Sequence, residues 1–381
     1  FGIEHEVAFL RPDGQLADFA NTTFESFESI VRRLPFYEQD YPQLRVGDAG
    51  IKRKRWYVEG FERFNLAGEV VDCPPKGIEI RTTVHSSIKG AVRELKESFQ
   101  LLCYEAQKDG FTPALVSFHP FRTAFVPQPA LNEFEIERRK ESPEMQTAHI
   151  PMLTQGPDIN LSSEGLSPQQ LIDIGRKLTY YSPFIIPFSY GSPFYAGQVW
   201  SGLSARTFHR TGARPAAMVF LENESDLVDS NPSLTQLARV PAEIGRIEFK
   251  AFDSCGDFDL YATLSALIKG MVLDQSLPGR CTLPSEDIHQ HSAKFGFADA
   301  DIYDGARSVL TAAKQALKTK GDVIDCSFLQ PLEWMLEQRY HPAQRMIEMH
   351  QKGMTLEKIL AQGYDQQHLR QNILKAVIAQ S

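Results

Sequence analysis

The 381-residue chain contains no run approaching the roughly 20 apolar residues that a membrane-spanning helix needs, which excludes such a helix. Cysteine is scarce: Cys73, Cys103, Cys255, Cys281 and Cys326 are scattered and form no C-x-x-C pair. That spacing speaks against a disulfide framework or a zinc site and fits a reducing compartment, so a cytoplasmic location is expected. Neither G-x-x-x-x-G-K-[ST] nor G-x-G-x-x-G occurs, so a nucleotide would be held by neither a P-loop nor a Rossmann turn. Positive charge is in deficit. A net charge of -8 and a pI near 5.7 argue against general affinity for nucleic acid or an anionic membrane surface. The run Lys52-Arg53-Lys54-Arg55 reads as a solvated loop or edge. There is no internal repeat and no low-complexity tract, and the chain opens on Phe1 rather than Met, which leaves a preceding segment open.

What is present suffices for an ordinary core, with 42% hydrophobic and 23% charged residues. Strand signals cover residues 1–10, 56–64, 69–73, 77–83, 114–118, 158–161, 216–221 and 245–253. Turns are expected at Arg11-Pro12-Asp13-Gly14 and Pro74-Pro75-Lys76-Gly77. Helical spacing covers 86–109, 167–181 and 259–274, then 303–318, 331–338, 342–352 and 366–379. Helices do not alternate with strands, so the expected class is α+β, a mostly antiparallel sheet backed by helices. A sheet-bearing domain over residues 1–280 is expected, with a helical C-terminal region over 281–381 packed on it.

The informative feature is where the acids fall. Side chains alternate along a strand, so Gly2-Ile3-Glu4-His5-Glu6 places Glu4 and Glu6 on one face and Ile3 and His5 on the other. Ile78-Glu79-Ile80-Arg81, Asp158-Ile159-Asn160-Leu161 and Ile247-Glu248-Phe249-Lys250 repeat the arrangement. A sheet collecting Glu4, Glu6, Glu79, Asp158 and Glu248 on one face needs cations to offset the repulsion, and Mg²⁺, with its preference for oxygen ligands, suits carboxylates. For any one strand a polar face that points to solvent is the favoured reading; four together make it the weaker account. A second group, Ser204-Ala205-Arg206-Thr207-Phe208-His209-Arg210-Thr211-Gly212-Ala213-Arg214, forms an arginine-bearing loop whose forks match phosphate oxygens.

These residues resemble the plant-type glutamate-cysteine ligases and the bacterial carboxylate-amine ligases, distant relatives of glutamine synthetase. Phe1-Gly2-Ile3-Glu4-His5-Glu6 resembles the opening G-x-E-x-E strand, and Lys76-Gly77-Ile78-Glu79-Ile80-Arg81-Thr82 the second acidic strand. Phe118-His119-Pro120-Phe121, Asp158-Ile159-Asn160-Leu161-Ser162-Ser163-Glu164, Gly191-Ser192-Pro193-Phe194, the arginine loop and Gly245-Arg246-Ile247-Glu248-Phe249 follow in the family's order, over residues 1 to about 275. Relatives usually carry His or Gln where Asp158 stands and Arg where Lys250 stands.

The resemblance implies a curved sheet with metals and ATP on its concave face. Glu4, Glu6, Glu79 and Glu248 would bind Mg²⁺, with Asp158 as a further ligand or water holder. Arg206, Arg210 and Arg214 would contact phosphates or the substrate carboxylate, and Lys250, Asn160 and Lys294 would serve cofactor binding. His5, His119 and His209 stand as candidate proton acceptors. The implied reaction is a carboxylate-amine ligation through an acyl phosphate, with glutamate and cysteine as the leading substrates and a γ-glutamyl amide, as in glutathione biosynthesis, as the product. A phosphotransferase or a non-catalytic nucleotide-binding relative is the alternative. The expected partners are small molecules, without nucleic acid or membrane, and a homo-oligomer is compatible with the sequence.

Overall fold

A computed structural model describes residues 1–40, 44, 55–320 and 322–364; Lys52, Arg53, Lys54 and the helix expected over 366–379 lie outside the described residues. Eight strands form one sheet, most of them alternating apolar and polar residues, with β6 apolar throughout. They are β1 (Gly2–Leu10), β2 (Trp56–Gly60), β3 (Pro75–Arg81), β4 (Thr112–Ala114), β5 (Asp158–Leu161), β6 (Ala217–Leu221), β7 (Thr235–Leu237) and β8 (Ile247–Phe249). Their order in space is β7-β6-β8-β5-β1-β3-β2, with β4 pairing the far end of β1. All pairings are antiparallel except β6 with β7, which is parallel. The sheet is therefore mixed but mostly antiparallel, as the α+β expectation has it.

Ile3, Val7, Ile78, Ile80, Ile159, Ile247 and Phe249 form the buried apolar face. Against it pack α2 (Ile88–Gln107), α3 (Pro168–Ile185) and α5 (Phe258–Leu273), while α1 (Phe24–Arg33) covers β2 and β3. Local signals start and stop these helices. The Ser87 hydroxyl accepts from Gly90 N at 3.2 Å, and Ser167 with Gln170 forms a capping box ahead of Pro168. A further layer is built by α6 (Glu286–Phe295) and α7 (Ala300–Thr319). The last crosses α5 so closely that a Cβ on Gly270 would stand 2.6 Å from that of Ala313. Among the described residues no helix is long and apolar enough to cross a membrane.

Three expectations are corrected. Pro75-Lys76-Gly77 is not a turn but the start of β3: proline is tolerated as a first strand residue, and Gly77 lets the backbone pass Val7, whose carbonyl oxygen would lie 2.3 Å from a Cβ there. The arginine segment is not a loop but opens with a short helix, α4 (Ala205–Arg210), capped by Ser204. Of the strand expected over 114–118 only Ala114 is in one, with a single bridge from Phe118 to Thr154 beyond it. Arg55, from the basic run, is paired with Asp40 (2.8 Å) and Glu94 (3.0 Å).

Candidate active site

The polar face of the same strands carries every acid singled out above. Cross-strand register sets Glu4 opposite Arg81 on one side and Asp158 on the other, Glu6 opposite Glu79, and Glu248 opposite Asn160. The face is not simply solvated: Glu79, Asn160 and Glu248 are buried, and Glu4, Glu6 and Asp158 are half-buried. It lines a cleft with two lobes, of about 310 and 400 Å³. Glu4, Asn160, Arg246, Glu248 and Lys250 border the first, and Glu59, Phe61, Arg138 and Arg139 the second. Tyr57, Arg81, Glu144 and Arg214 border both, so the lobes adjoin.

The carboxylates fall into two groups. In one, an oxygen from each of Glu6, Glu59 and Glu79 lies within 4.8 Å of the others. Lys76 donates to Glu6 Oε1 at 2.5 Å, and Gly156 N donates to Glu6 Oε2 at 2.9 Å, but Glu79 Oε1 is buried with no hydrogen-bond partner among the described residues. Burial, then Glu4, Glu59 and Glu6, drive the Glu79 carboxyl well above the usual range. Burial and Glu6 push Glu59 up to about 7 against the pull of Lys76. Three crowded oxygen donors, one of them orphaned, are a donor set that a hard divalent cation such as Mg²⁺ fits.

In the other group Lys250 Nζ donates to both Asp158 and Glu248. Arg246 adds contacts to Glu248 (3.2 Å), Glu243 (3.3 Å) and Glu4 (3.6 Å), and stacks 3.8 Å from the Phe220 ring. Burial disfavours the Glu4 carboxylate, but Arg246, Arg81 and Lys250 outweigh it and hold its pKa below the usual range. Asn160 Nδ2 reaches Glu4 at 3.4 Å, leaving its own Oδ1 unpartnered.

The three predicted arginines have different surroundings. Arg206 is buried and donates to the carbonyls of Ala251 (2.8 Å) and Lys250 (2.9 Å), passing so near Gly156 that a Cβ there would lie 2.3 Å from Nη2. Its helix is anchored by the buried Asp253, which accepts from Gly191 N (2.9 Å), Ser192 Oγ (2.7 Å) and Ser204 Oγ (3.0 Å). That network gives the Gly191-Ser192 motif its role. Arg214 donates to Glu144 O at 2.8 Å and faces both lobes. Arg210 forms no side-chain hydrogen bond or ion pair with the described residues. Burial, with Arg206 and Arg214 nearby, puts its pKa well below the arginine norm. It lines a side pocket of only about 10 Å³, too small for a phosphate.

Other predicted residues stand apart from the cleft. Lys294 is exposed on α6, its Nζ 5.0 Å from the Phe208 ring. His5 lies on the apolar side between the hydroxyls of Tyr261 and Tyr364, each at 2.9 Å, and burial lowers its pKa to about 3. The His119 ring bonds to Asp18 (3.1 Å) and accepts from Arg122 N (2.9 Å), and His209 is stacked between Tyr195 (4.9 Å) and Phe118 (5.1 Å). None of the three borders either lobe of the cleft. Sequence reasoning passed over Glu59, Lys76, Arg214's partner Glu144, and Arg246. Alternation in Tyr57-Val58-Glu59 and in Arg246-Ile247-Glu248 carried the signal for two of these, while Lys76 was hidden by the expected turn.

No known protein-family profile matches the chain, and no curated protein matches it either. Among solved structures it is similar to glutamate-cysteine ligase of Francisella tularensis in complex with AMP, at 11% identity and a TM-score of 0.54, over 98% of this chain and 88% of that one. The ligase PafA in complex with prokaryotic ubiquitin-like protein Pup is a weaker likeness, at 12% identity and a TM-score of 0.46, over 95% of this chain and 72% of that one. The curved mixed sheet with its helical backing thus has the fold of that glutamate-cysteine ligase.

Proposed function

We propose that the chain is an ATP- and Mg²⁺-dependent ligase joining a carboxylate to an amine, with glutamate and cysteine as the leading substrates and γ-glutamylcysteine as product. The observation that carries this is the Glu6, Glu59 and Glu79 group, with an orphaned oxygen on Glu79, beside a cleft lobe that Glu59, Arg81 and Arg214 line. Glu6, Glu59 and Glu79 would hold Mg²⁺, which when bound offsets the negative charge of ATP phosphates. Arg214 and Arg81, charged and able to donate in a fork, bind and orient phosphate or carboxylate oxygens between the lobes. Lys250 and Arg246 hold Glu248, Asp158 and Glu4 in place beside them. No side chain is needed as a nucleophile: the substrate carboxylate attacks the terminal phosphate of ATP, and the amine displaces phosphate from the resulting acyl phosphate. Catalysis is then positioning and electrostatics. Five cysteines without a disulfide suit a cytoplasmic setting for such chemistry.

The test is to incubate the protein with ATP, Mg²⁺ and glutamate, add cysteine or other amines in turn, and follow ADP and amide products by mass spectrometry. ADP with γ-glutamylcysteine supports the full proposal, and another amide keeps the reaction but replaces the substrate. ADP with a phosphorylated product and no amide would make the chain a phosphotransferase, and no binding of Mg-ATP would remove the catalytic reading.

A further inference from the structure

We propose that Lys250 does the work of a metal ion: its ammonium serves Asp158 and Glu248 as a divalent cation would serve Glu6, Glu59 and Glu79. Without nucleotide the chain then holds one divalent ion, on those three glutamates alone. This rests on the ligase reading of the cleft but specifies how the acids of that cleft divide their cations.

Two unlike charge balances carry the inference. Around Glu6, Glu59 and Glu79 three carboxylates meet one ammonium, that of Lys76, which also serves the carbonyls of Pro151 (2.8 Å) and Thr154 (3.0 Å). Fully ionised, they outnumber their one bonded cation by two charges, the charge of one divalent cation; Arg81, near Glu79 and Glu59, is shared with Glu4, and Glu79 Oε1 has no donor among the described residues. Around Asp158, Glu248 and Glu4 every acid already touches a cation. Lys250 Nζ bonds to Asp158 and Glu248 at once, Arg246 reaches Glu248 and Glu4, and Arg81 stands opposite Glu4 in the β1–β3 register. With Glu243, which also shares Arg246, four acids there face three cations, and each of the four touches one. The Glu248 and Asp158 oxygens nearest each other already share a cation on a side chain that follows β8 directly, so a metal entering that place would first have to expel a tethered charge. Its attraction is between groups already held in place, and an ion from solution must bring its own dehydration cost.

The experiment counts Mn²⁺ bound per full-length chain without nucleotide, by equilibrium dialysis with the free ion read by electron paramagnetic resonance. The expected counts are one for the wild type, none for Glu79→Gln, one for Glu248→Gln and two for Lys250→Met, whose freed Asp158 and Glu248 accept a second ion. Two ions in the wild type, with one lost in Glu248→Gln, would overturn the role given to Lys250 while leaving the ligase reading intact. A folded Lys250→Met protein that binds a single ion would overturn it too. No Mn²⁺ on the wild type at millimolar concentration would instead overturn the metal-dependent reading itself, and this inference with it. If circular dichroism shows Lys250→Met unfolded, the comparison of wild type with Glu248→Gln decides.

Discussion

Glu6 and Glu79 stand directly opposite one another across β1 and β3, two carboxylates paired where an ordinary sheet would set a complementary pair. Like charges so placed destabilise a sheet by up to about 1 kcal/mol, and burial adds to that. An arrangement that costs stability on its own and has an orphaned acceptor is organised around something it binds.

Glu79→Gln separates the two consequences. Without metal the variant is expected to unfold at a slightly higher temperature than the wild type, because a buried glutamine has neither to ionise nor to take up a proton beside Glu6 and Glu59. With Mg²⁺ and ATP it is expected to lose the ion-induced rise in melting temperature and at least about 100-fold in kcat/KM, the scale of several kcal/mol of lost charge stabilisation. Thermal melts with and without Mg²⁺, beside steady-state kinetics, check both.

Arg206 and Arg214 are expected to respond differently to alanine. Arg206→Ala strands two buried carbonyls, those of Lys250 and Ala251, at about 1–3 kcal/mol each, so it should lower the denaturation midpoint. Arg214→Ala removes a guanidinium that faces both lobes, so it should leave the midpoint nearly unchanged and reduce kcat/KM about 10- to 100-fold. Equal losses of stability in the two variants would contradict the assignment.

Glu135 tests the rim of the cleft. It accepts from Arg63 Nε at 2.6 Å, and also from the backbone of Phe64 (3.0 Å) and Asn132 (2.9 Å), in a buried setting. The Arg63 hydrogen bond, backed by those two, pulls its pKa to about 2. Glu135→Ala leaves Arg63 buried and unpaired, and a loss of about 3–5 kcal/mol is expected in a urea titration. The carboxylate's contribution to stability is fully present above about pH 4.5 and is lost as pH falls toward 2.

Acid sensitivity should begin well above that range. Burial lowers His5 to about 3 and both His289 and His341 to about 4, so all three are neutral in the folded chain at pH 7. Below about pH 6.5 the unfolded chain binds a proton at each and the folded chain does not. Their stabilisation is complete above about 6.5 and declines as pH falls toward 4, by about 1.4 kcal/mol per pH unit for each histidine. His341 accepts from Phe297 N at 3.1 Å through Nε2 and donates to Pro187 O at 2.9 Å through Nδ1. Glutamine can keep both bonds without titrating, so His341→Gln is expected to flatten the decline between pH 6.5 and 4.5 by one proton's worth, measured by urea denaturation across that range.

Much of the architecture could be read from local pattern. The strand over Asp158–Leu161 matches its expected bounds, and α2, α3 and α5 begin at Ser, Ser and Asp caps within a few residues of expectation. Short-range physics governs these features: a period of two or 3.6, a capping hydroxyl, a glycine at positive φ such as Gly110 after α2. Arg206 and Arg210 stand four apart, one helical turn plus a fraction, a spacing that marks a helix face rather than a loop. α1 and α6, ten residues each and mostly polar, went unseen.

The sequence by itself determined that Glu4, Glu6, Glu79, Asp158 and Glu248 each lie on the polar side of a strand, because alternation is local. Only the tertiary structure decided which of them meet. Register between strands far apart in the chain sets Glu6 against Glu79, and β2 brings Glu59 beside them. Likewise Lys250 reaches Asp158, 92 residues earlier, because β8 and β5 are neighbours in the sheet. Strand order and register come from packing the apolar face as a whole, and no period within a single strand carries that information.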